Sequence, residues 1–295
     1  MIIQTGLRTD IPAFYSKWFY NRIKEGYVLV RNPFMNKRVY HYSLKPEDVD
    51  LLVFCSKNPE PMLEGLESLS EYKQLWYFTI TPYGKDIEPN LPDKKKLLEV
   101  FKDLSSRVSK ERIILRYDPI FITSKYSISY HLRAFEKIIK ELHSYTTTCV
   151  ISFIDLYAKT RKNFPDVKEV SLIEQCFIAQ KFVDIARRYN ILIKSCAERE
   201  ELSLYGIDTT GCMTVDILER AAGKKLDIKP QKSRSTCSCY LSNDIGAYNT
   251  CLHLCKYCYA NYSEKLVRDN YRDHKDDSPL LVGELNPDDE IIIRS

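Results

Sequence analysis

Cys251, Cys255 and Cys258 stand in a C-x3-C-x2-C arrangement near the C-terminal end of the sequence. A loop that short can wrap a cubic iron–sulfur cluster and offer one thiolate to each of three irons. The fourth iron is then left open to a substrate or cofactor, which extends the usual four-thiolate ligation. A tetrahedral zinc ion would instead ask for a fourth Cys or His close by. His253 could supply it, but it lies inside the loop between two of the ligands, where a shared tetrahedral geometry is awkward. The spacing therefore favours a [4Fe–4S] cluster over zinc.

Further thiols lie upstream. Cys237 and Cys239 form a C-x-C pair that can put both sulfurs on one side of an extended segment. Cys196 falls at a predicted strand end, and Cys212 in a Gly-containing loop after it. These four could hold a second iron–sulfur cluster or a structural zinc. The plainer reading makes Cys196 a packed thiol and Cys212 an incidental loop residue. Cys55, Cys149 and Cys176 sit in apolar strand or helix contexts and read as small core residues.

Such a site needs a scaffold, and the first two-thirds of the chain reads as one. Short apolar, β-rich runs begin at Ile2, Leu51, Leu75, Arg112, Thr147 and Ile191. All but the last precede a helical pattern, over 11–25, 62–69, 93–108, 129–142 and 168–189. Asp10 is a candidate N-cap with Pro12 just inside the helix. A hairpin over 27–31 and 38–42 interrupts the alternation. Alternating β and α elements favour a parallel sheet with right-handed crossovers. Six such units make a doubly wound sheet or an incomplete barrel. After Cys196 the character changes: a short helix over 215–222, a basic loop-like stretch over 223–234, the cysteines, and apolar runs at 280–282 and 291–293. Residues 205–295 read as a cap or extension on the sheet.

In parallel α/β folds chemistry sits at the carboxyl ends of the strands. Polar residues gather there: Arg8 and Asp10, Ser56 and Lys57, Thr79 and Thr81 leading to Glu88, Arg116 and Asp118, Asp155, and Cys196 with Glu198. Most suit ordinary loops or helix caps equally well. Lys57 and Arg116 point to function, because a cation at a strand end facing a cavity suits an anionic ligand.

Composition narrows the class. At 295 residues, 44% of them hydrophobic, the chain can bury a sizeable core. No stretch has the pattern of a secretion signal or the uninterrupted apolar length of a membrane span. The expectation is a cytoplasmic protein, in which ten cysteines suggest metal or buried thiols rather than disulfides. A net charge of +4 is too weak to argue for nucleic acid. A metal-stabilised nucleic-acid-binding module stays open on the basic run 224–234, although such runs are commonly solvated faces. An iron–sulfur redox protein without a second cofactor is the other alternative, with Cys237 or Cys239 as a distant fourth ligand.

The C-x3-C-x2-C motif followed by Tyr259-Ala260-Asn261 resembles the signature loop of radical S-adenosylmethionine (SAM) enzymes. Over nearly its full length the chain is similar to an uncharacterised bacterial family with a radical-SAM-like cysteine cluster at the C-terminus instead of the usual N-terminal position. Matching stretches include Arg8-Thr9-Asp10-Ile11-Pro12, Arg31-Asn32-Pro33-Phe34, Ser56-Lys57-Asn58-Pro59 and Asp244-Ile245-Gly246. Thr79-Ile80-Thr81 with Glu88-Pro89-Asn90 locally resembles the spore photoproduct lyase branch. The resemblance implies a partial (β/α)6 TIM-like barrel over 1–204. It also implies that the extension 205–295 folds back over the barrel mouth, bringing the loop to the strand ends. SAM would bind the open iron through its amino and carboxylate groups. Reductive cleavage, fed by a donor such as a flavodoxin or ferredoxin, would give a 5′-deoxyadenosyl radical that acts on a substrate of unknown identity. No Gly-Gly-Glu motif follows a strand, so the candidate SAM contacts, Lys57, Thr79, Thr81 and Arg116, rest on position.

Overall fold

The computed structural model describes residues 1–228, 239–240 and 243–294. Cys237 and residues 229–234 of the basic stretch lie outside the described residues. The strands are β1 (Ile2–Thr5), β2 (Tyr27–Arg31), β3 (Arg38–Ser43), β4 (Leu51–Ser56), β5 (Gln74–Thr79), β6 (Ile113–Ile120), β7 (Thr148–Phe153), β8 (Leu192–Ser195), β9 (Asn243–Asp244) and β10 (Glu290–Arg294). Seven of them form a parallel sheet in the order β8-β7-β6-β5-β4-β1-β9. The six expected strands therefore pair in sequence order, without the reversal that defines a doubly wound sheet. The expected hairpin forms from β2 and β3. The apolar run at 291–293 becomes β10 and adds to β3 in parallel.

Strand pleating sorts the core. One set of alternate residues, among them Ile3, Phe54, Trp76, Phe78, Leu115, Tyr117 and Ile151, packs against the crossover helices. Those helices are α1 (Ile11–Phe14), α2 (Ser16–Glu25), α3 (Lys94–Val108), α4 (Ile128–Leu142) and α6 (Leu172–Arg187), and the short α5 (Ala158–Asn163) follows β7. The opposite set is apolar in its first half: Ile2, Leu51, Val53, Leu75, Tyr77, Ile114 and Val150. These residues lie under Leu218 and Ala221 of α7 (Val215–Ala222). Further along the same face the strands turn polar, with Gln4, Cys55, Thr79, Arg116 and Ser152, and this half lines a cavity. A period of two thus separates a helix-packed face from one that is plugged at its start and open at its end.

Local chemistry explains the departures from the expected helices. The 11–25 pattern breaks at Tyr15 (φ −134°), whose hydroxyl donates to the Thr250 carbonyl, 2.7 Å away in the cysteine loop. The 62–69 pattern yields two 3-10 turns on either side of Gly65, which is packed so tightly that a Cβ there would lie 2.5 Å from the Tyr20 ring. The helix expected over 168–189 starts only at Leu172, because Ser171 and Glu174 form a capping box.

The C-terminal segment enters the sheet beside β1. Asp244 accepts from the backbone N–H groups of Gly6 (3.2 Å) and Leu7 (3.1 Å) and pairs with Arg8 Nε at 2.5 Å. At Gly6 the chain runs so close to β4 that a Cβ would lie 2.2 Å from the Cys55 carbonyl oxygen. That neighbour is backbone and cannot swing aside. Gly6→Ala should therefore cost about 1–3 kcal/mol, read as a lower urea midpoint with an unchanged slope.

Candidate functional site

The cavity at the carboxyl ends of the strands has a volume of about 880 Å³. Cys251, Cys255 and Cys258 all line it, as do Lys57, Thr79 and Arg116 from the strand ends. Cys196, Cys212 and Cys239 line it too, so both sets of cysteines share one chamber. Thr81 does not line the cavity. It is fully buried and donates to Glu88 Oε1 at 2.6 Å.

Two buried carboxylates hold the three-cysteine loop in place. Asp10 lies just after β1. Its Oδ1 accepts from Ala13 N (3.1 Å) and the Ser56 hydroxyl (2.7 Å), and its Oδ2 from Lys57 N (2.7 Å). The fourth partner comes from the loop: His253 Nε2, 2.8 Å from Oδ2. His253 is 2% exposed, and its Nδ1 is buried without a hydrogen-bond partner.

The second carboxylate is Glu88. It accepts from Thr81, pairs with Lys57 at 3.1 Å and Lys94 at 2.5 Å, and receives the hydroxyl of Tyr257, which stands between Cys255 and Cys258. Burial works against the charged form of Glu88. The two lysines outweigh burial and hold its carboxyl down at about 2. Backbone contacts complete the attachment: Lys256 N donates to the Ile87 carbonyl at 3.0 Å, and Asn90 Nδ2 to the Leu252 carbonyl at 2.7 Å. The loop is also braced internally by Asn261 Nδ2 on the Cys251 carbonyl at 2.8 Å.

The sulfurs sit in a setting that thiolates would favour once bound to a metal. Burial pushes all three thiols up. The Lys57 ammonium opposes this at Cys255 and Cys258, and the N–H of Ala260 donates to Cys258 Sγ at 3.3 Å. Among the described residues, no group of three or more His, Cys, Asp or Glu side chains is arranged to hold a metal ion. A cubic cluster makes a different demand, one thiolate at each of several iron corners. Three thiols of one loop that line the cavity, Cys255 buried and Cys251 and Cys258 half-buried, with N–H donors and a cation nearby, fit that demand.

Also lining the chamber, Cys212 and Cys239 bring their sulfurs to 3.6 Å, and Met213 N donates to Cys239 Sγ at 3.3 Å. A hydrogen bond from Cys212 lowers the Cys196 thiol, with Arg116 adding to the effect. Arg116 is ion-paired with Asp118 and lies 4.0 Å from Cys212 Sγ. Beside the chamber, Glu198 accepts from Ser152 Oγ (2.9 Å) and Phe153 N (2.7 Å). Burial raises its carboxyl to about 7 in spite of these bonds, with Asp155 and Asp118 adding to the rise. Cys149 is fully buried in the sheet core, while Cys55 borders the cavity 3.7 Å from Gln4 Nε2.

Fold and site together define an α/β protein whose large parallel sheet ends in a thiol-lined chamber. A sequence profile described as "Domain of unknown function (DUF1848)" matches residues 2–260, and the chain belongs to that family. No functionally curated protein matches it. Among solved structures, a protein of Bacteroides thetaiotaomicron VPI-5482 provisionally assigned as an alpha-L-fucosidase aligns at 11% identity and a TM-score of 0.26. The alignment covers 62% of this chain and 76% of that one. No helix among the described residues is long and apolar enough to cross a membrane.

Proposed function

We propose that this protein is a radical SAM enzyme acting on a substrate still to be identified. The observation that carries the reading is the position of the cysteine loop: Cys251, Cys255 and Cys258 line the chamber at the carboxyl ends of a parallel sheet, held by Asp10 and Glu88. The sheet is read as a partial (β/α)6 barrel over 1–204, supported by six strands pairing in sequence order, with 205–295 as the extension that closes over its mouth.

A [4Fe–4S] cluster held by the three cysteines would supply one iron free of protein ligands and the electron for reductive cleavage of SAM. The chain's own residues hold and shelter these groups. Asp10 and Glu88 fix the loop. Lys57 offsets negative charge at Cys255 and Cys258. Thr79 and Arg116 offer polar contacts from the strand ends, and the apolar core under α7 keeps water from entering below. Thr81 acts one step back, by orienting Glu88. The electron would come from a donor of the flavodoxin or ferredoxin type.

The test uses protein purified and reconstituted without oxygen, reduced with dithionite and given SAM. The wild type should form 5′-deoxyadenosine, and Cys255→Ala should form none. A fully loaded, reduced cluster whose spectrum does not respond to SAM would remove this reading and leave an iron–sulfur redox protein.

A further inference from the structure

We infer that His253 is a binding residue for the cofactor: its Nδ1 accepts a hydrogen bond from the amino group of SAM. The inference rests on the radical SAM reading and adds to it a contact on this chain that no motif supplies.

The argument begins with proton bookkeeping at Asp10. A carboxylate only accepts, and His253 Nε2 lies 2.8 Å from Oδ2, so the proton of this bond sits on Nε2. In the neutral ring, that leaves Nδ1 with its lone pair. The ring is held in place by Asp10 on one edge and by Phe14, whose centroid lies 4.6 Å away in an edge-on contact. Nδ1 is buried and has no partner. Buried polar atoms are overwhelmingly satisfied, and an orphan in a residue that lines a cavity calls for a ligand.

The ligand must be a donor. A carboxylate or phosphate would face lone pair against lone pair. The amino group of an amino acid moiety meets the requirement, because its N–H bonds remain donors when its lone pair is given to the open iron. His253 lies two residues from both Cys251 and Cys255, so that donor would bind beside the cluster loop. Lys57 and Arg116 border the same chamber and suit the anionic end of an amino acid. A histidine oriented by a carboxylate is also the usual arrangement for metal ligation. Ligation of the cluster through Nδ1 is therefore the competing outcome.

His253→Lys separates these roles, because its side-chain ammonium can still donate to Asp10 but has no acceptor in place of Nδ1. Iron content and visible spectrum are measured on the reconstituted variant, and SAM affinity by equilibrium dialysis, expressed per loaded cluster. The expected result is a wild-type cluster that binds SAM about tenfold more weakly or worse. Equal affinity per cluster overturns the inference. So does an altered electron paramagnetic resonance signal in the reduced variant without SAM, which would make Nδ1 an iron ligand. Nitrogen-15 NMR of the iron-free wild type should find a neutral ring with its proton on Nε2, and a proton on Nδ1, alone or together with Nε2, also overturns the inference. If the loaded wild type binds no SAM, the radical SAM reading itself falls, whereas normal wild-type binding with an indifferent variant defeats only the role of His253.

Discussion

Glu88→Ala should lower the unfolding free energy by roughly 3–5 kcal/mol and loosen the cysteine loop, so that the protein takes up less iron on reconstitution. The carboxylate is completely buried and holds four donors together: Thr81, Lys57, Lys94 and Tyr257. Removing it strands the Lys57 ammonium, whose side chain is only 16% exposed. Lys94 is less enclosed and can turn towards water, so its share of the loss is smaller. Glu88→Gln keeps the shape and an acceptor for Thr81 and should cost less. The acid limb gives an independent check. A carboxyl held at about 2 instead of its ordinary 4.5 has a depressed folded value. Its stabilisation is present above pH 4.5 and is lost as the pH falls towards 2. The shift corresponds to about 3 kcal/mol. Urea titrations of the iron-free protein between pH 7 and pH 3 should show about 2 kcal/mol of this loss in the wild type and much less of it in Glu88→Gln. Parallel curves for the two proteins would mean that Glu88 is not the buried anchor described here.

The scaffold was legible in the sequence because its signals are local. Each of the six β-rich runs is a short, nearly continuous apolar stretch, as a parallel strand covered on both faces demands, and five are followed by a helical pattern. Asp10 as an N-cap is equally local, and its side chain does accept from Ala13 N. The site was legible in part. Lys57, Thr79 and Arg116 reach the cavity because they fall on the sheet face that α7 leaves open. Thr81 lies beyond the end of β5, outside that pleat, and turns to Glu88 instead. Glu88 itself looked like one more polar loop residue. Its role depends on Tyr257, 169 positions away, and no short window contains both. The same holds for β10, which pairs with β3 across some 250 residues. The late start of α6 is a different kind of miss, since Ser171 and Glu174 spell a capping box that was there to be read.

Asp10→Ala should produce the second large effect, a loss of at least about 3 kcal/mol together with exposure of the cysteine loop. Four donors converge on this one carboxylate: a helix N-terminal amide, the Ser56 hydroxyl, the Lys57 amide and the His253 ring. Asp10 is 6% exposed, so water has little access to replace it. Each buried donor left unsatisfied costs about 1–3 kcal/mol, and the N-cap alone is worth about 1 kcal/mol. These costs are not additive, because α1 can fray and relieve one of them. Ser56→Ala is the matched control: it removes one donor, leaves Asp10 with three, and should cost about 1 kcal/mol. The loop provides the sharper readout. In the iron-free wild type Cys255 is buried and should react slowly with a thiol reagent such as dithionitrobenzoate. In Asp10→Ala the His253 anchor is gone, and the reaction should quicken well before global unfolding. Ser56→Ala keeps that anchor and should keep the slow rate. An Asp10→Ala protein with wild-type stability and a protected Cys255 would show that Asp10 does not anchor the loop.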